Sequence, residues 1–578
     1  MAEQVYGIDL GTTYSVIATL GSNARPEVFD ISTEQERTLA SVVYFQPGGA
    51  PVVGRAAKSM AASEPDRVVS CIKRQIGKED VVYTFDGVPY DPINISSLIL
   101  KRMKEDVEAQ GYQVSKAVIT CPAYFGNTEK TATRQAGEIA GLTVLDIIHE
   151  PTAAALNYCS HEFSENRRIM VYDLGGGTFD VTLLDFSVDE FGKNAKIQIL
   201  DSTGDDKLGG VDWDKMLNEY ICNVYADENG ISTDDIDADT KAVIDSQVED
   251  TKKKLSALSS YSVNVSGSRL QVTAEEFRER TKNLVDRTIY FVTQLLGKNG
   301  LTPDDIDTVL LVGGSTRMPM VQEAVRALFP NKEGGAPRVR IEDPDFAVAK
   351  GAAIAAGMKY IEIVREHGEQ GANPPSNTDG GSEGVQEQPF SAETAKNLLQ
   401  AFSEQGVMID NGGEILSRSF GPAVLVPDPS EPDGKKLMID NLLFIGGPSP
   451  AEAEETYGVS EDNLPELTVI VFENTSKDER YVTPPFTKEG KPQATDSELN
   501  VKQIGTVVMP LPAGTPKDSP ILIRFKCGSN GLTVYATNVT TGEMIEADIE
   551  SALLKTKEQV ESDRKLIGRI KTSGTVEG

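Results

Sequence analysis

The chain has 578 residues, several times a usual domain of about 100 to 200 residues, so two or more domains with ample cores are predicted and a small stapled scaffold is excluded. Its 56 Lys+Arg against 88 Asp+Glu leave a net charge of -32, which repels nucleic-acid phosphates and anionic membranes; neither is a predicted partner. The five cysteines (Cys71, Cys121, Cys159, Cys222, Cys527) show no CxxC pair or metal-ligand spacing and the three histidines are scattered, which speaks against a zinc site and fits a reducing interior compartment.

The opening residues, MAEQVYGIDLG, enter a strand without a basic and then apolar leader, and no run reaches the 18 apolar residues of a membrane helix, so a soluble, cytoplasmic protein is expected. VYGIDLGTTYSVIATL, residues 5–20, reads as strand, tight glycine turn, strand, and VYDLGGGTFDVTLLDF, residues 171–186, repeats the plan. To about residue 365, strand-like runs (VYGIDL, AVITC, IMVYDL, TVLLVGG) alternate with segments of helical period, which predicts an α/β architecture. Glu150 precedes Pro151 at a predicted helix start. In LLVGGSTRMP, residues 310–319, a buried strand ends in two glycines before a helix whose Val321, Ala324, Val325 and Leu328 fall on one face.

Composition changes at residues 365–389, REHGEQGANPPSNTDGGSEGVQEQP, a predicted linker. One short amphipathic helix follows, with Ala395, Leu398, Leu399 and Phe402 on one face, and structural packing is the default expectation for that face. From about 415 to 549, short β-rich runs separated by Gly, Pro and Asn turns, SNG at 529–531 among them, predict a compact antiparallel β domain. A charged closing helix completes the chain. The predicted units are residues 1–365, 366–413, 414–549 and 550–578.

Chemistry concentrates in the two glycine turns. Glycine lets backbone N–H groups approach an anion, and a neighbouring threonine hydroxyl can donate to a phosphate oxygen. Asp9 and Asp173, at the two strand ends, would repel phosphate directly but can hold a hydrated Mg2+ that bridges its oxygens. Either turn alone reads first as an ordinary hairpin with a capping aspartate; their repetition points instead to two hairpins gripping one nucleotide.

The order DLGTT, HEPTAAAL, DLGGGTFD, VGGSTR resembles the actin-like ATPase superfamily and, within it, the DnaK-type heat-shock protein 70 chaperones; CIKRQIG at 71–77, CPAYF at 121–125, KLGGVDWD at 207–214 and EDPDFAVAKGAA at 342–353 extend the resemblance from residue 5 to about 360. It implies a two-lobed, ribonuclease H-like ATPase closing over ATP or ADP, followed by a β-sandwich and a short C-terminal helix in place of a long lid. By matching positions it implies that Gly11, Thr12, Thr13 and Tyr14 form the first phosphate loop and Gly176, Gly177 and Thr178 the second. Asp9 and Asp173 would organise Mg2+, with potassium near Asp9 and Asp180. Lys73, Glu150, Thr178 and Asp180 are the implied catalytic residues, Lys73 orienting the attacking water. Glu249, Lys252, Lys253, Ser256, Gly314, Ser315, Arg317 and Asp345 would receive the adenosine. Lys253 stands where the family usually has arginine, so loss of planar stacking and weaker nucleotide affinity are expected.

The resemblance further implies a polypeptide client, a J-domain co-chaperone and a nucleotide exchange factor. Several features depart from the family. No apolar string of the form DLLLLD joins the ATPase to the β domain, Lys130 replaces a family arginine implicated in signalling between domains, and GDDKLGG at 204–210 replaces GDTHLGG. Residues of the peptide groove find no match. Two functions are therefore open: a chaperone that couples ATP hydrolysis to polypeptide binding and folding, or a switch that presents its β domain to one specific partner. A sugar or glycerol kinase is disfavoured because the match is to the chaperone branch.

Overall fold

The computed structural model describes residues 4–31, 36–78, 81–160, 166–188, 194–332, 337–367, 390–404, 408–410, 414–416, 418–430, 435–478, 480–482, 501–528, 531–549 and 554–576. Most of the predicted linker, 368–389, and the first two residues of the SNG turn lie outside them.

Two sheets share one plan. In the first, Val5–Asp9 forms a hairpin with Tyr14–Leu20 and pairs in parallel with Lys116–Cys121, which pairs in parallel with Thr143–His149. In the second, Arg167–Leu174 forms a hairpin with Phe179–Val188 and pairs in parallel with Thr308–Val312, followed by Val339–Ile341. Asp9 and Asp173 thus stand at corresponding places in two related lobes. The apolar runs become strands because each sheet is covered on both faces, which favours continuous rather than alternating hydrophobicity.

Helices Glu150–Cys159 and Ala347–His367 lie between the lobes, in a core that takes Val5, Val16 and Val118 from the first sheet and Ile169, Val171 and Leu310 from the second. Their backbones touch: a Cβ at Gly351 would sit 1.7 Å from the Ala153 carbonyl oxygen. The alanines of HEPTAAAL serve this close crossing.

The amphipathic helix Ala392–Glu404 packs on Ala347–His367, burying Ala395, Ala401 and Phe402, with Leu398 and Leu399 partly buried beside them. Its apolar face is structural packing, in line with the default expectation. Directly after it, Met408–Asp410 pairs in parallel with Asn194–Lys196 and becomes the edge strand of the second lobe's sheet. No apolar string announces this edge strand, which is only three residues long.

The C-terminal part holds several sheets. One runs Arg480–Val482, Lys435–Asp440, Ser419–Pro427, Glu466–Asn474, Lys502–Pro510, and another Ala451–Gly458, Pro520–Gly528, Gly531–Asn538, Met544–Ile549. Val469, Val471, Ile504 and Val507 of the first share one core with Ile521, Ile523, Phe525 and Val534 of the second. Strand Gly531–Asn538 approaches helix Asn127–Ile139 of the first lobe.

Helix Lys557–Arg569 packs on helices Pro92–Glu108 and Asn127–Ile139 of the first lobe and plants Ile567 in that lobe's core. Lys101 Nζ donates to the carbonyls of Ile567 at 2.7 Å and Gly568 at 3.1 Å, closing the helix's C-terminal end. Among the described residues no helix is long and apolar enough to cross a membrane.

Candidate functional site

The two glycine bends meet. A Cβ at Gly176 would lie 1.9 Å from Thr13 Oγ1, and one at Gly177 2.4 Å from Thr12 Cγ2, so only glycine permits this approach of the two lobes. Within the first bend, a Cβ at Gly11 would lie 2.0 Å from the Tyr14 carbonyl oxygen. The second bend is anchored from below: the N–H groups of Gly210 and Val211 donate to the carbonyls of Gly175 (3.0 Å) and Gly176 (2.8 Å), and Ser315 Oγ donates to the Gly175 carbonyl at 2.9 Å. Thr178 is buried beside it, its carbonyl accepting from Gly175 N–H at 3.0 Å.

Beneath the bends lies an acidic floor. Asp173 faces Asp180 across the second hairpin, and Asp9 ends the first strand, accepting from Thr120 Oγ1 at 3.3 Å. Lys73 and Glu150 form a buried ion pair. Glu150 opens its helix ahead of Pro151, as predicted, and Lys73 rides on the short 3-10 helix Ile72–Gln75.

Burial, followed by the charge of Glu150, pushes Asp9 up to about 7, while Lys73 and Thr120 pull the other way. Asp173 and Asp180 are pushed well above the usual carboxylate range by burial and again by Glu150. Burial would lower the Lys73 ammonium, but Glu150 and Asp9 outweigh it and hold its pKa up. One lysine does not neutralise four carboxylates.

A divalent cation fits that imbalance. Asp180 Oδ1 and Thr13 Oγ1 are buried without hydrogen-bond partners among the described residues. Also among the described residues, no three His, Cys, Asp or Glu side chains stand close enough to ligate a metal directly. Mg2+ commonly keeps most of its waters and relies on one or two carboxylates plus phosphate oxygens, which suits this arrangement.

The expected adenosine residues divide into two groups. Glu249 lies at the cleft rim, where it accepts from Tyr14 Oη at 2.7 Å, lies 2.8 Å from Lys253 Nζ, and pairs with Lys58. The two ammonium groups stand 5.2 and 5.3 Å from the centroid of the Tyr14 ring. Burial opposes ionisation of Glu249, yet Lys58 and Lys253 hold it down at about 2. Tyr14 and Lys58 belong to one lobe, Glu249 and Lys253 to the other, so this cluster spans the cleft.

Gly314, Ser315, Arg317 and Asp345 gather at the second lobe's glycine turn, where Arg317 Nε donates to Asp345 Oδ2 at 3.0 Å. Lys252 and Ser256 are engaged within their own lobe: Lys252 Nζ donates to the Gly210 carbonyl at 3.0 Å and pairs with Asp214 at 2.8 Å, and Ser256 Oγ donates to the Lys252 carbonyl at 3.0 Å. Three residues escaped the sequence reading: Thr120, Lys58 and Arg74. Only Arg74 carried a signal, its position next to Lys73 in CIKRQIG.

Two lobes of one plan, each giving a glycine hairpin to a shared acidic cleft, define the actin-like ATPase architecture. The family model described as Hsp70 protein matches residues 5–365, more than half of the chain. This chain belongs to the Hsp70 family, whose members are ATPases that bind ATP or ADP with Mg2+.

Proposed function

We propose that this protein is an ATP-driven molecular chaperone of the heat-shock protein 70 type, hydrolysing ATP between its lobes and changing the affinity of its C-terminal β domain for polypeptide. The observation that carries the reading is the contact between Thr12 and Thr13 on one lobe and Gly176 and Gly177 on the other. Backbone N–H groups and hydroxyls of both bends hold the phosphates. Asp9 and Asp173 would hold Mg2+, which would supply charge neutralisation at the phosphate oxygens. Glu150 and Asp180, with Thr178, position the attacking water and receive its proton, and Lys73 stabilises charge on the transferring group, since phosphoryl transfer needs mainly positioning and electrostatic support.

In this reading the C-terminal sheets form a β-sandwich that binds polypeptide, and Met408–Asp410 is the lever. It adds an edge strand to the second lobe and leads directly into the β domain, so a lobe rotation moves the tether. Coupling of this kind requires different contacts in two states. A J-domain partner and an exchange factor would time the cycle.

A second reading is favoured by Ile567. Because the last helix is seated in the first lobe, it is not free to cover a client, and the ATPase would serve as a switch that displays its β domain to one folded partner. Steady-state ATPase measured against a panel of unfolded hydrophobic peptides separates the two. Stimulation supports the chaperone; no response to any peptide, with hydrolysis intact, supports the switch.

A further inference from the structure

Arg74 follows Lys73 on the same short helix, but the two cations serve different ends of the site. Lys73 pairs with Glu150 on the acidic floor, whereas Arg74 donates through Nη2 to the carbonyl of Gly177 in the opposite lobe and stands 3.9 Å from Asp212. Asp212 is itself committed, accepting from Gly209 N–H at 2.9 Å and pairing with Lys215 at 2.9 Å. Arg74 Nε is buried and, among the described residues, has no acceptor. Its location is informative: a Cβ on Gly177 would lie 3.2 Å from that nitrogen and 2.4 Å from Thr12 Cγ2, so the free N–H sits where the two phosphate loops close on each other. A guanidinium has five N–H donors in a fixed fork and cannot shed its charge, so a buried, unsatisfied one is costly unless an anion arrives.

We propose that Arg74 contacts the terminal phosphoryl group of the bound triphosphate, reading its presence and tying lobe closure to it. The inference rests on the nucleotide-binding reading of the cleft. Through Nη2 the side chain grips the second phosphate loop; through Nε it donates to a terminal phosphate oxygen. A diphosphate leaves Nε unsatisfied, so the closed arrangement is favoured by ATP over ADP.

The test compares full-length Arg74→Gln and Arg74→Lys with the unaltered protein, by calorimetric titration with ATP and with ADP and by single-turnover hydrolysis. Arg74→Gln is expected to lose about 10-fold or more in affinity for ATP, in the range of a charge-assisted hydrogen bond, while ADP affinity changes by no more than about 3-fold. Arg74→Lys, which keeps the charge but not the fork, should recover only part of the loss and shows whether the glutamine variant failed merely to fold. Equal losses for ATP and ADP would mean that Arg74 only bridges the lobes, and unchanged affinity for both would also overturn the proposal. Those results leave the ATPase reading standing if the unaltered protein binds and hydrolyses ATP. Failure of the unaltered protein to bind either nucleotide removes both.

Discussion

A side chain on Gly176 would collide with the hydroxyl of Thr13, at 1.9 Å from a Cβ, and this contact joins two lobes whose hairpins are far apart in the sequence. Gly176→Ala must therefore push the bends apart. Overpacking typically costs about 1–3 kcal/mol, so nucleotide affinity is expected to fall by about 5- to 150-fold. Calorimetry with ADP measures this; unaltered affinity would mean that the bends separate freely when nucleotide enters.

Lys73 and Glu150 pair in a buried setting, with side chains 6% and 10% exposed. Lys73→Ala leaves Glu150 uncompensated beside Asp9 and Asp173 but removes no backbone donor of the two glycine bends. Hydrolysis should drop by about 100- to 1,000-fold, the usual effect of losing one preorganised electrostatic contact, while ATP binding persists. Single-turnover assays and a binding titration give the two numbers separately. Equal turnover would show that the lysine has another role.

At the cleft rim, Glu249 draws Tyr14 and Lys58 of one lobe to Lys253 of the other. Glu249→Gln should open this latch and speed release of a fluorescent ADP analogue. Because the Glu249 pKa is depressed to about 2, its stabilising effect is complete above the ordinary carboxylate value and is lost only as pH falls toward 2. The release rate of the unaltered protein should therefore show no contribution from Glu249 titration between about pH 6 and 8. Lys253→Arg bears on the same cluster: restoring a planar cation is expected to tighten nucleotide binding, and unchanged affinity would end the argument that lysine weakens it.

What could be read from the sequence was what a local stretch dictates. DLGTT and DLGGGTFD announce two strand–turn–strand units, although Gly176 and Gly177 are demanded by Thr13 and Thr12 of the other lobe rather than by the turn itself, and HEPTAAAL carries its helix start in Glu150 and Pro151. Lys58 was invisible because its meaning comes from Glu249, 191 positions away. Met408–Asp410 was missed for another reason: three residues are too few for a hydrophobic period, and only the open edge at Asn194–Lys196 makes them a strand. Neither the seat of Ile567 nor the free Nε of Arg74 leaves a periodic trace.

Glu473 of the C-terminal domain is 3% exposed and faces Glu129 of the first lobe around Gly126, with Arg418 and Lys502 also acting on it. Burial and then Glu129 push its pKa up from 4.5 to about 7, while Arg418 and Lys502 pull it down. A carboxyl raised by docking favours the docked state below its ordinary value. That advantage shrinks as pH rises through the window up to about 7 and does not shrink further above it. Docking of the β domain on the first lobe should thus be tighter at pH 5 than at pH 8. Energy transfer between dyes on the two parts reads this, and Glu473→Gln should flatten the profile. A pH-independent signal in the unaltered protein would show that the pair is not buried together.

Ile567 is fully buried in the first lobe although it lies near the end of the chain, and the segment around it is fastened at several points. Gln135 and Lys555 exchange hydrogen bonds of 2.7 and 3.1 Å, and beyond the helix Ser573 exchanges backbone bonds of 2.9 and 3.0 Å with Val53 and Pro51. This is how a helix integral to a core is held, with one apolar anchor and satisfied ends. Ile567→Ala should destabilise the first lobe by about 2–5 kcal/mol, as large-to-small core substitutions do, whereas Leu566→Ala, next to it but exposed, should change little. Thermal unfolding of both variants decides the matter. If the two behave alike, the last helix is free to leave the ATPase lobe and to cover a client, and the case for a switch with a seated C-terminal helix is lost.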